Sequence, residues 1–339
     1  MFEVWIIPLM FIPIVLWGYG MFTSLKRSIY GLLNLRMNGA LPTLLVGNLS
    51  AGGTGKTPMV MFLLDAFSQD RVGVLSRGYG RKSKGFKSVD ESSTFQDVGD
   101  EALEIAHAEI APVFVCENRL AGLQNIKESQ KADWVIMDDG FQHLALAATK
   151  KVLLTSFQNP FWKESFSLPI GNLREFQGAL ADADVLVVTK CPQGLDQSKA
   201  REFIGTLKFD KSKIFFAHYK QTMPVSVQGS VIEKRAILIS GVVQQKGLDE
   251  SLSDWEILDY INYKDHHEFS QSDIRFWLKT CKEKGVNSII LTRKDWQRIK
   301  NNELLNLLQN EGININEIHT EVEILWNQKD EFLKLVYPL

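Results

Sequence analysis

Ser50-Ala51-Gly52-Gly53-Thr54-Gly55-Lys56-Thr57 joins glycines, one lysine and one hydroxyl residue in the order needed to hold a polyphosphate. Glycines let successive backbone N–H groups turn toward one anion without a Cβ in the way. Lys56 would reach the β- and γ-phosphates, and the Thr57 hydroxyl would ligate Mg²⁺. A second candidate is Asp138, which with Asp139 ends the apolar run Trp134-Val135-Ile136-Met137. A carboxylate at a strand tip is what a phosphate-loop enzyme sets above its sheet to hold Mg²⁺. Other chemistry-bearing residues stand at strand ends as well. Arg77 and Arg81 sit among glycines, in a pattern equally suited to an anion and to a solvated loop, and Arg119 follows Val113–Cys116. Asp100 and Glu101 open a helical pattern, where two acids by themselves do no more than favour the helix dipole. His143 reads by itself as a structural histidine. Asp265-His266-His267 has no third spaced metal ligand nearby and reads equally well as a plain surface loop.

These residues need elements to position them. Leu44–Leu49 reads as a strand and Met59–Phe67 as the helix that follows it, giving strand, loop, helix. Apolar runs at 71–76, 113–116, 134–138, 152–155 and 183–190 alternate with helical patterns down to about Phe209. That alternation predicts a doubly covered, mostly parallel sheet. The tip of the last run is Thr189-Lys190-Cys191-Pro192, with proline where a guanine-gripping acid would stand, so ATP is the expected nucleotide. Extended segments at 213–217 and 225–228 then lead into a shorter α/β pattern, with strands at 235–240 and 288–292 and helices near 274–284 and 303–309. The expected organisation is an apolar N-terminal segment over 1–24, a phosphate-loop core over 25–212, and a smaller α/β domain over 213–339 joined by a ribbon.

Composition narrows the class. The chain has 339 residues and a net charge of −2, so no basic field points to nucleic acid. Three scattered cysteines form no metal spacing. Residues 1–22 are apolar except for Glu3, carry many aromatics, and are followed by Lys26, Arg27 and Arg36. This predicts a membrane anchor that crosses or dips, with the rest of the chain on the cytoplasmic side.

Taken together and in order, the motifs resemble the tetraacyldisaccharide 4′-kinase family. The matching stretches are Gly47-Asn48 with Gly52–Pro58, Ser76–Arg81, Gly99-Asp100-Glu101, Asn118-Arg119, Asp138–His143, Leu168-Pro169 with Gly171 and Arg174-Glu175, and Asp265-His266. The match is looser at Gly171-Asn172-Leu173-Arg174-Glu175 and at Thr292-Arg293-Lys294-Asp295, where an acid is expected at 293. The resemblance implies transfer of the γ-phosphate of ATP to the 4′-hydroxyl of an acylated glucosamine disaccharide 1-phosphate, giving lipid IVA. It also implies Mg²⁺ and work at the cytoplasmic face of the bacterial inner membrane; a monomer with no nucleic-acid partner is the expectation beside it. By that resemblance Asp100 and His266 form a catalytic pair with Lys56, and Ser50 to Thr57 hold the nucleotide. Thr57, Asp138, Asp139 and Glu101 surround the metal, while Arg77, Tyr79, Arg119, Gln142, His143 and Glu175 meet the substrate. The rival classes are a membrane-recruited nucleotide switch of ParA or recognition-particle type, which needs no base for a sugar hydroxyl, and a small-molecule ligase on the same fold.

Overall fold

The computed structural model describes residues 20–205, 207–227, 234–241, 252–264, 267–300 and 303–339. A nine-stranded sheet carries the phosphate loop. Its order is Thr320–Ile324, Ile214–Gln221, Val185–Cys191, Lys150–Ser156, Thr43–Asn48, Trp134–Asp138, Val72–Ser76, Val113–Val115 and Lys87–Ser88. The interior pairings are parallel and only the two outermost are antiparallel. The central strands are buried from end to end, as strands covered on both faces must be. Leu45 and Leu44 show why: successive side chains point to opposite faces, and each enters a separate apolar layer. One layer includes the helix Arg119–Ser129; the other includes the helices Lys56–Ala66, Asp100–Ala106 and Lys329–Val336.

A smaller five-stranded sheet has the order Val225–Ser226, Asn314–Ile318, Ser288–Thr292, Arg235–Ser240 and Glu256–Asn262. It is covered by the helices Gln271–Lys284 and Glu303–Asn310, whose Ile274, Trp277, Leu304 and Leu308 are buried. The expected boundary at 213 needs correction. Ile214–Gln221 and Thr320–Ile324 belong to the large sheet, and Phe215, Ala217, Ile324, Phe332 and Val336 fill its core. The small unit therefore runs from about 225 to 318 and is an insertion between two strands of the large one. The chain crosses between them twice, side by side: the Thr222 N–H donates to the His319 carbonyl at 2.8 Å, and the His319 N–H donates to the Thr222 hydroxyl at 3.1 Å.

Residues 20–32 form a helix tied to the large unit. Arg27 donates to both Glu175 oxygens at 2.7 and 2.9 Å, to the Phe141 carbonyl at 3.1 Å and to Asp182. Met21, Phe22, Leu25, Leu32 and Leu33 of this region face outward, each at least 60% exposed. Among the described residues no helix is long and apolar enough to cross a membrane. Residues 1–19, where most of the expected anchor falls, lie outside the described residues.

Candidate active site

The phosphate loop leaves the buried strand Thr43–Asn48 and returns as the helix Lys56–Ala66. Its shape is held from several sides. The Asn48 amide donates to the Thr54 hydroxyl at 2.8 Å, and the Thr189 hydroxyl donates to the Thr54 carbonyl at 2.8 Å. The Tyr219 hydroxyl donates to the Gly55 carbonyl at 2.9 Å. Gly55 has φ +80°, and a Cβ there would lie 2.2 Å from the Tyr219 ring, so this position admits only glycine. Gly55 caps the helix without a side-chain hydrogen bond, which leaves the positive end of the dipole open for an anion. Lys190 reaches over the loop, with its Nζ 3.5 Å from the Cβ position of Gly53.

The loop lines a cleft of about 420 Å³ between the two sheets. Lys56, Thr57, Tyr79, Glu101, Asp139 and Arg174 line it from the large unit, and Thr292, Arg293 and Lys294 from the small one. Asp139 accepts from Arg174 Nη1 through both oxygens, at 3.0 and 3.1 Å, and lies 3.7 Å from Lys56 Nζ. Burial raises its pKa, but Lys56 and Arg174 outweigh that and hold the carboxyl below its ordinary range. Asp138 is the opposite case. It is wholly buried, and neither carboxylate oxygen has a hydrogen-bond partner. Burial first, then repulsion from Glu101, pushes its pKa well up against the pull of Lys56. Burial also raises Glu101, which feels Lys56 in one direction and Asp100 and Asp139 in the other. Asp100 and Lys56 therefore act on the same carboxyl in opposite directions.

An unpartnered buried carboxylate with Glu101 and Asp139 near it offers oxygen donors of the kind Mg²⁺ takes. Among the described residues no three His, Cys, Asp or Glu side chains are arranged to hold a metal by themselves.

Asp100 begins the helix Asp100–Ala106 and is 8% exposed. Gly99, at φ +87°, lets the loop of Arg77 and Tyr79 pass close, since a Cβ there would lie 2.7 Å from the Tyr79 carbonyl. Arg77 and Tyr79 are exposed near the cleft mouth. Arg119 is buried: its Nη1 donates to the Cys116 carbonyl at 3.0 Å, its Nε has no partner, and burial lowers its pKa to about 10. His143 has an unpartnered buried Nε2, and burial with nearby Arg119 lowers its pKa to about 4, so the ring is neutral.

Two of the residues expected at the substrate make contacts within the large unit. Glu175 is 1% exposed and held by Arg27 through both oxygens, which ties the helix 20–32 to the large unit. The Gln142 amide donates to the Asn48 carbonyl at 2.8 Å and braces the strand before the loop. Asp265 and His266 lie outside the described residues. His267 is engaged within its own unit, with Nε2 3.2 Å from Asp273 and the ring stacked on Tyr263. Arg174, Lys294 and Arg298 were not among the expected site residues. Lys294 and Arg298 stand four apart just after a Thr292 cap, which is the one sequence sign of a basic helix face.

Comparison with known proteins supplies the family. The profile described as Tetraacyldisaccharide-1-P 4′-kinase matches residues 9–336. A tetraacyldisaccharide 4′-kinase of Flavobacterium johnsoniae is 34% identical over 302 residues, covering 86% of this chain and 87% of that one. One from Bacteroides thetaiotaomicron is 30% identical over 348 residues, covering 94% and 90%. Among solved structures, LpxK from Aquifex aeolicus in complex with ATP superposes with a TM-score of 0.71 at 24% identity, covering 98% of this chain and 100% of that one, which shows a shared fold. With its loop, strand-tip aspartates and two-sheet cleft in that order, the chain belongs to the tetraacyldisaccharide-1-phosphate 4′-kinase family.

Proposed function

We propose that Asp100 takes the proton from the 4′-hydroxyl of an acylated glucosamine disaccharide 1-phosphate while Lys56 and the glycine loop hold the phosphates of ATP. Family membership makes the chain an ATP-dependent kinase of lipid A biosynthesis acting on a disaccharide precursor, and sets aside the switch and ligase alternatives. In the reaction the sugar oxygen bonds to the γ-phosphorus and the bond to the β–γ bridging oxygen breaks. ADP leaves with that electron pair, and the hydroxyl proton passes to the Asp100 carboxylate. Such transfer depends on alignment and charge neutralisation more than on covalent chemistry. Lys56 neutralises the β- and γ-oxygens, Gly52 to Thr57 fix their position, and Arg174 keeps Asp139 ionised and in place. Thr57 and Asp138 would hold Mg²⁺, with Asp139 and Glu101 beside them. When bound, the metal supplies charge neutralisation across the β- and γ-oxygens. Arg77, Tyr79 and Arg119 are the residues proposed for the lipid's sugar and phosphate, and His266 for a partner of Asp100.

One observation carries the reading: Lys56, Glu101 and Asp139 line one cleft, with the buried, unpartnered Asp138 next to Asp139 and the Asp100 carboxylate accepting the Glu101 N–H. The outward apolar residues of the helix 20–32 form the surface that would meet the bilayer on its cytoplasmic face, so the acyl chains need not leave the membrane. The test is incubation with radiolabelled ATP and the disaccharide lipid. Labelled lipid should form with the native chain and fall by about 10²-fold or more with Asp100→Asn, the range for a lost general base. Full turnover by that variant would refute the base assignment.

A further inference from the structure

Asp100 is not held by its own unit alone. Arg298 Nη2 donates to its Oδ2 at 2.9 Å, and Lys294 Nζ lies 3.5 Å from the same oxygen. Both cations come from the helix Arg293–Ile299 of the small unit. The Arg298 side chain is 8% exposed, and its other terminal nitrogen donates to Asp295 Oδ1 at 3.1 Å. Asp295 is wholly buried, and its second oxygen accepts the Gly241 N–H at 2.9 Å and the Thr292 hydroxyl at 2.6 Å. The fit is close: a Cβ on Gly241 would stand 2.9 Å from Asp295 and 3.4 Å from Arg298. One prong of a rigid planar fork is thus fixed in the small unit and the other grips a carboxylate of the large one. On the other side of that carboxylate, Oδ1 accepts the Glu101 N–H at 3.0 Å.

We propose that Arg298 is a positioning residue for phosphoryl transfer, orienting the Asp100 carboxylate across the interface so that the proton acceptor is complete only when the small unit is docked. The inference rests on Asp100 being the base. A buried ion pair is close to neutral for stability once desolvation is counted, so binding the two units together does not by itself explain the fork. Orientation does, because a displacement of about 1 Å at a reacting group can cost about 10²-fold in rate.

The test measures steady-state transfer from ATP to the disaccharide lipid with the full chain in detergent micelles, for Arg298→Ala, Arg298→Lys and Asp100→Asn. Arg298→Ala is expected to lose about 10–10²-fold in kcat, with the KM for ATP within about twofold. Arg298→Lys should recover only part, because an ammonium restores the charge without the fork. Millimolar guanidinium should raise turnover of the alanine variant and not of the native chain. If Asp100→Asn is inactive but Arg298→Ala keeps native kcat, the positioning role is overturned and the base survives. If Asp100→Asn keeps native kcat, the base and the positioning role fall together. If the alanine variant does not fold, Arg298→Lys decides: native kcat, or a loss appearing only in KM, counts against the proposal.

Discussion

Asp138 offers the sharpest test of the site's electrostatics, through stability. Its carboxylate is wholly buried with neither oxygen hydrogen-bonded, and burial with repulsion from Glu101 raises its pKa well above the ordinary 3.8. The sign follows from linkage. A group that binds its proton more tightly in the folded chain favours folding where it is protonated. The penalty from Asp138 is therefore absent below the unfolded value near 3.8, grows as pH rises through the folded value, and is complete above it. Asp138→Asn removes the charge and keeps the shape. An unpartnered buried polar group costs about 1–3 kcal/mol, and more when charged, so at pH 8 the variant should be more stable by about 1–3 kcal/mol. That corresponds to about 2–10 °C in melting temperature for a unit of this size. Calorimetry of both proteins without nucleotide or metal, from pH 5 to pH 8, reads the difference, which should widen with pH. Added Mg²⁺ and ATP should then stabilise the native chain more than the variant, and kinase turnover of the variant should be lost. A native chain as stable as Asp138→Asn at pH 8, in the absence of ligands, would refute the account of an uncompensated carboxylate.

Three further outcomes follow from the packing. Gly55→Ala sets a methyl 2.2 Å from the Tyr219 ring at φ +80°, so it should cost about 1–3 kcal/mol in chemical denaturation and weaken ATP binding at least about tenfold in a filter or calorimetric assay. Arg27→Ala strands the buried Glu175 carboxylate and should destabilise by about 3–5 kcal/mol in thermal melts; replacing the pair together, Arg27→Met with Glu175→Leu, should recover most of that and keep the KM for the lipid. Leu25→Asp with Leu32→Asp, on the outward face of the helix 20–32, should reduce sedimentation with phospholipid vesicles while sparing transfer to detergent-dispersed substrate.

What could be read from sequence was local. The loop Gly52–Thr57, the strand ending at Asp138 and the alternation of strands and helices each rest on spacing within about a dozen residues, which the chain carries in its own order. These fix the fold class and place Lys56, Thr57 and Asp138 at one sheet edge. Tertiary structure decided the rest, because the contacts involved join residues far apart in the chain. Only sheet pairing puts Ile214–Gln221 and Thr320–Ile324 in the large sheet and makes the small unit an insertion. Glu175 finds Arg27 across 148 residues, which buries a residue expected at the substrate in an ion pair with the helix 20–32. Arg298 finds Asp100 across 198, a pairing set by how the small unit packs on the large one and by no local pattern.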